Sequence, residues 1–306
     1  MRAAFSSAIV NLAKNDPQVL LLTGDHGYAL FDDFRKACPQ QYINAGIAEQ
    51  NMVGMAAGLA KAGFRPIVYG LSAFVPIRVL EQIKLDVAHD HLPVIFIGDG
   101  AGFVYSHLGT SHQSTEDIAC ARVIPNLSVY SPADAHELTA CMEAAYQSHS
   151  AVYIRMGKSD RDLVHTAVLS PKTGDLLALK QVPTSTLAFI ATGSLSSTAL
   201  NLANTQYPNA SVWSAPFIKP INTNQVVEIC KQHSKIITLE EHSIFGGLGS
   251  TIAEISSELS PSHILRIGVK DRFSTHCGSY EYLLKEHGLD ESAISKKINS
   301  FLKVVV

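Results

Sequence analysis

Short runs of apolar, β-branched residues return along this chain at intervals wide enough to hold a helix, and that rhythm restricts the possible folds severely. QVLLL (18–22), PIVY (66–69), VIFI (94–97) and VYIRM (152–156) alternate with helical patterns, among them residues 46–63, 76–88 and 134–147. Each run is apolar at successive positions, as strands covered on both faces are, which points to a mostly parallel sheet. After a polar stretch with two prolines a second series follows: LAFIA (187–191), SVWS (211–214), KIITLE (235–240) and HILRI (263–267), again with helical patterns between. The expected fold is α/β, with two doubly wound domains and mostly parallel sheets. Their expected bounds are residues 1–165 and 186–306, joined by a linker at 166–185.

A length of 306 residues allows each domain its own core. Charged residues make up 17%, below the usual quarter, so much surface is expected to be covered by a neighbouring domain or subunit. The formal charge of -3 comes with no basic stripe, which argues against nucleic-acid binding. Five cysteines are scattered without a CxxC pair, as expected of reduced thiols in the cytoplasm. No run approaches the roughly 18 apolar residues of a membrane span. The opening segment MRAAFSSAIVNLAKNDP reads as an amphipathic helix with Phe5, Ile9 and Leu12 facing inward, and not as a cleaved leader.

The stretch GIAEQNMVGMAAGLAKAGFRP (46–66) carries one acid, Glu49, in the first turn of an Ala/Gly-rich helix that Gly63 is placed to end. An acid there interacts favourably with the helix dipole and needs no further purpose. Gly54, Ala57 and Gly58, however, form a small-residue face that admits close packing, which would bury Glu49 as well. A buried carboxylate needs a partner, and a ligand with a basic ring nitrogen would serve.

Four separated segments carry a resemblance: GIAEQNMVGMAAGLAKAGFRPIVYGLSAF, GTSHQSTEDIACARVIPNLSVYSPADAHEL, TGSLSSTAL and EEHSIFGGLGS. In this order they resemble the C-terminal half of the transketolase family, which depends on thiamine diphosphate. The 1-deoxyxylulose-5-phosphate synthases and the beta subunits of 2-oxoacid dehydrogenases share the IAEQ element. The HQ element and the PNLSVYSPAD run favour transketolase. A 2-oxoacid dehydrogenase beta subunit and a non-catalytic partner protein of the same fold stay open as alternatives.

The resemblance implies roles for particular residues. Glu49 would hydrogen-bond the aminopyrimidine ring of the coenzyme and start its activation, with Phe74 stacked on that ring and Asp25 as a further coenzyme contact. His112, in GTSHQ, would hydrogen-bond the donor sugar. Arg155, at the end of VYIRM, would grip a substrate phosphate. His26, beside Asp25, is a candidate substrate contact by its place at the end of a strand, where α/β sites collect. Glu240, Glu241 and His242 read as a charged strand end with no catalytic role. The triplet GDG at 98–100 superficially matches the metal- and diphosphate-binding element of the coenzyme, but it runs into GTSHQ, in the pyrimidine-binding half.

With no diphosphate cradle and no metal ligands expected here, the resemblance implies a separate N-terminal transketolase subunit. That partner would hold the diphosphate and its Mg²⁺ (or Ca²⁺) in an α2β2 heterotetramer that passes a two-carbon ketol unit from a ketose to an aldose. The chain departs from the family at SHLGTSHQ. Ser106, His107 and Leu108 stand where Gly, Glu and Asp are usual, which implies an altered donor sugar.

Overall fold

The computed structural model describes residues 1–158 and 162–303. Residues 159–161, in the expected tail of the first domain, and 304–306, at the expected end of the second, lie outside the described residues. In chain order the strands are β1 (Val19–Thr23), β2 (Tyr42–Asn44), β3 (Arg65–Leu71), β4 (Ile95–Asp99), β5 (Leu127–Tyr130) and β6 (Ala151–Met156). They continue with β7 (Leu177–Lys180), β8 (Leu187–Ala191), β9 (Ser211–Ser214), β10 (Phe217–Lys219), β11 (Lys235–Ser243) and β12 (His263–Val269). One sheet has seven strands in the order β10-β5-β6-β4-β3-β1-β2, and the other has five in the order β12-β11-β8-β9-β7. All pairings are parallel except those of the edge strands β10 with β5 and β7 with β9.

The uniformly buried strands β1, β4 and β6 explain the apolar runs, because helices cover both faces of the larger sheet. On one face the first helix, Arg2–Asn15, buries Phe5, Ile9 and Ala13. Ala13 therefore takes the third inward place expected of Leu12, since steps of four residues keep one face of a helix inward. On the other face one continuous apolar cluster joins Val68, Phe96 and Ile118 to Ala188, Trp213 and Ile252 of the second half. One strand tightens that joint. β10 reaches back from the second half to close the first sheet, and β7, inside the stretch 166–185, supplies the edge of the second.

The order of the larger sheet reverses at one place that matters for function. From β1 the chain steps outward to β2, then crosses to β3 on the opposite side, which leaves a crevice between the carboxyl ends of β1 and β3. Ligands of open α/β sheets collect at such switch points.

Candidate active site

Asp25 and His26 follow β1, and Glu49 opens the helix after β2. Phe74 follows β3, and the GTSHQ loop follows β4, so the sheet order itself gathers these residues at the crevice. Glu49 is the first residue of the helix Glu49–Lys61 and is 4% exposed. Its burial does not come from the small-residue face. The buried side of that helix is Met52, Val53, Ala56, Ala57 and Ala60, whereas Gly54 and Gly58 lie open, with no atom beyond their own stretch of helix within 4 Å of where a Cβ would stand. The acid instead tucks beneath Arg78, whose Nη1 donates to Glu49 Oε1 at 3.0 Å.

Arg78 belongs to a helical run spanning Ile77–Val79, Leu80–Gln82 and Ile83–Ala88, where the sequence pattern predicts a single helix near 76–88. Its central carbon lies 3.9 Å from the centroid of the Phe74 ring. The edge of His112 meets the same ring, with centroids 5.3 Å apart and planes at 65°. Ser111 Oγ lies 3.0 Å from His112 Nδ1, which leaves Nε2 without a protein partner among the hydrogen bonds of this loop. Arg78 thus links Glu49 to Phe74, which His112 also meets, and Arg78 is the member of this group that sequence reasoning missed. The signal for it was present: an arginine four residues after an aromatic, at the start of a helix, stacks back upon it.

Beyond β1, Asp25 is exposed, adopts a left-handed backbone with φ 62°, and accepts from Asn44 Nδ2 at 3.4 Å. His26 is half-buried. Burial pulls its pKa below the ordinary imidazole value, against the opposing pull of the Glu49 and Asp25 charges, so the ring is neutral at neutral pH. Its Nε2 is buried and has no hydrogen-bond partner among the described residues.

Arg155 lies elsewhere. It is 2% exposed; its Nε donates to Asp117 Oδ2 at 2.8 Å and Oδ1 at 3.1 Å, and its Nη2 donates to the carbonyls of Ser114 at 3.2 Å and Glu241 at 2.7 Å. A guanidinium so enclosed clamps the two sheets together, and its expected role as a phosphate grip gives way to that one. Asp117, also fully buried, takes a further bond from Tyr153 Oη at 2.7 Å.

The triplet expected as a charged strand end is buried in the same joint. Glu241 accepts from Phe103 N at 2.7 Å and from the hydroxyls of Ser194 and Tyr280. Glu240 caps the helix Leu248–Leu259 by accepting from Leu248 N at 2.7 Å and Gly249 N at 2.8 Å. Burial pushes Glu240 up to about 7, against those two amides, and pushes His242 down to about 4. The GDG triplet is structural too. Asp99 accepts from Arg2 at 2.8 Å, Tyr69 at 2.8 Å and Tyr105 at 3.1 Å.

The loop that departs from the family holds Ser106 buried and leaves His107 and Leu108 exposed, Leu108 by 47%. Among the described residues no three His, Cys, Asp or Glu side chains are grouped as a metal ion would need. No helix among them is long and apolar enough to cross a membrane.

An acid, an aromatic face and a histidine lie at the switch point of a parallel sheet, with a second α/β unit locked beside them. Comparison with known proteins makes the class specific. The family profile "Transketolase, pyrimidine binding domain" matches residues 1–162, and "Transketolase, C-terminal domain" matches residues 177–294. The chain belongs to the transketolase family.

It is 32% identical to one of the subunits of the apulose-4-phosphate transketolase of Phocaeicola vulgatus, over 99% of this chain and 97% of that one. It is 34% identical to a putative transketolase C-terminal section of Methanocaldococcus jannaschii, over 99% of this chain and 96% of that one. Against the 1-deoxy-D-xylulose-5-phosphate synthase of Pasteurella multocida, 34% identical, it covers only 48% of the relative. Among solved structures, one described as a split gene transketolase, inactive beta4 tetramer, superposes with a TM-score of 0.90 at 32% identity, over 98% of this chain and 97% of that one. This chain is a transketolase-type subunit, and its pyrimidine-binding domain and split relatives imply thiamine diphosphate and a separate partner subunit.

Proposed function

We propose that this chain is the pyrimidine-binding half of a cytoplasmic, two-component transketolase that moves a two-carbon ketol unit from a ketose phosphate to an aldose. The observation that carries this reading is the enclosure of Glu49 against a flat cation stacked on Phe74. The Arg78 guanidinium, planar and positively charged, is bonded to the acid and lies on the ring. The aminopyrimidine of thiamine diphosphate shares that shape and polarity, so the residues fit it. When bound, the coenzyme supplies the carbon centre that accepts and then releases the two-carbon unit.

The chain's own contribution is positional. Glu49 holds a proton at the ring nitrogen, and its enclosure keeps water from competing for that bond. Phe74 fixes the plane of the ring. His112, beside Phe74, is placed to hydrogen-bond the donor sugar, and His26, half-buried after β1, is a second candidate contact. Asp25 completes the coenzyme side. The diphosphate and its Mg²⁺ (or Ca²⁺) fall to the partner subunit in an α2β2 particle. The open line of Gly54 and Gly58 and the 80% exposed Ile47 suit the docking of another subunit beside Glu49. A cytoplasmic place is supported by five cysteines that are all free.

A donor other than the ordinary straight-chain pentulose phosphate is part of the proposal. Leu108 stands where the family has an aspartate, and the Phocaeicola relative is named for apulose 4-phosphate. The test is reconstitution with the product of a neighbouring reading frame, thiamine diphosphate and Mg²⁺. Glu49→Gln should lower turnover by at least about a hundredfold, the scale of a lost proton-transfer partner. Unchanged turnover removes the mechanism.

A further inference from the structure

The Arg78 guanidinium stands between the two groups that must grip the pyrimidine ring. Its Nη1 is 3.0 Å from Glu49 Oε1, and its carbon is 3.9 Å from the Phe74 centroid, so it covers the ring face turned towards the acid. Guanidinium and aminopyrimidine share the relevant chemistry. Both are flat, both present in-plane N–H donors to a carboxylate, and both stack on aromatic rings. That oxygen and that face cannot serve both groups at once.

Resting on the function proposed above, we propose that Arg78 is a built-in plug, which occupies the aminopyrimidine's place in the free subunit and swings out as the coenzyme enters. Local geometry fits a movable part. Arg78 N bonds Phe74 O at 3.0 Å, so the two side chains sit one turn apart at the start of a helix, and stacking follows from the backbone alone. The Arg78 side chain is 46% exposed and Glu49's is 5%. The arginine has solvent to move into; the acid does not. An ion pair with one half-exposed member is weak enough to be displaced. It also spares Glu49 from standing buried and unpaired until a partner subunit delivers the coenzyme by its charged tail.

The test uses the full chain alone and the hydroxymethyl aminopyrimidine fragment of thiamine, titrated to high concentration by ligand-observed NMR. Arg78→Ala should bind the fragment roughly tenfold more tightly than the wild type, because no ion pair or ring contact has to be broken first. Added salt should narrow that gap by loosening the plug in the wild type. Glu49→Gln in the Arg78→Ala background should abolish the gain. If Arg78→Ala binds no tighter, or not at all, while Glu49→Gln still lowers turnover of the reconstituted pair, the plug is wrong and the site reading stands. If fragment binding ignores Glu49→Gln as well, both fall. Thermal unfolding of each variant separates these outcomes from loss of fold.

Discussion

Arg155 offers the sharpest separation between what the motif implied and what the structure shows. Replacing it with Met keeps much of the stem's volume but removes the bonds to Asp117 at 2.8 and 3.1 Å and those to the carbonyls of Ser114 and Glu241. Asp117, with no exposed surface, would be left with Tyr153 Oη as its hydrogen-bond donor among these groups. Breaking a buried pair by deleting one partner costs about 3–5 kcal/mol, because the remaining charge is stranded without solvent. Arg155→Met should therefore lose stability on that scale in urea and thermal unfolding, while the Arg155→Met/Asp117→Leu double variant, which removes both charges, should recover a substantial part. The KM of the reconstituted pair for a phosphorylated sugar, measured at a temperature where the variant is folded, should not change. Wild-type stability together with a sharply raised KM would restore the phosphate grip and refute the clamp.

Two further outcomes follow from the same geometry. Burial holds the folded-state pKa of Glu240 at about 7, above the ordinary carboxyl value of 4.5, so the stability it contributes is complete below 4.5 and is lost as pH rises through 7. The unfolding free energy of Glu240→Gln relative to wild type should thus rise by about 3 kcal/mol across that window, with His242 common to both proteins; a flat difference would contradict it. Leu108→Asp, at an exposed position, restores the acid usual in the family and should raise kcat/KM of the reconstituted pair for xylulose 5-phosphate by about tenfold, the worth of one hydrogen bond to a sugar hydroxyl; no change would show that this loop does not read the donor.

The strands that were legible in the sequence are those whose cause is local. QVLLL, PIVY, VIFI and LAFIA are apolar because both faces are covered, and each forms a strand within a residue or two of its expected place. β10 was not legible, because Phe217–Lys219 is short and its partner β5 lies some ninety residues earlier. β7 was hidden for a similar reason: an antiparallel edge strand in a polar stretch with prolines has no buried face to announce it. At the site, motif order named Glu49, Phe74 and His112, and the sheet order β4-β3-β1-β2 carries the segments after β2, β3 and β4 to one end of the sheet, where Arg78 links Glu49 to Phe74 and His112 meets Phe74. Arg155 misled because an arginine at a strand end looks the same in sequence whether it faces solvent or a second domain. Its enclosure depends on Asp117 and Glu241, which lie on other elements.

The most direct measurement is a structure of the reconstituted pair with thiamine diphosphate and Mg²⁺. It should show a Glu49 carboxylate oxygen about 3 Å from the pyrimidine ring nitrogen, Phe74 beneath that ring and Arg78 turned outward. A coenzyme ring bound elsewhere, with Glu49 still paired to Arg78, would contradict the assignment of this crevice.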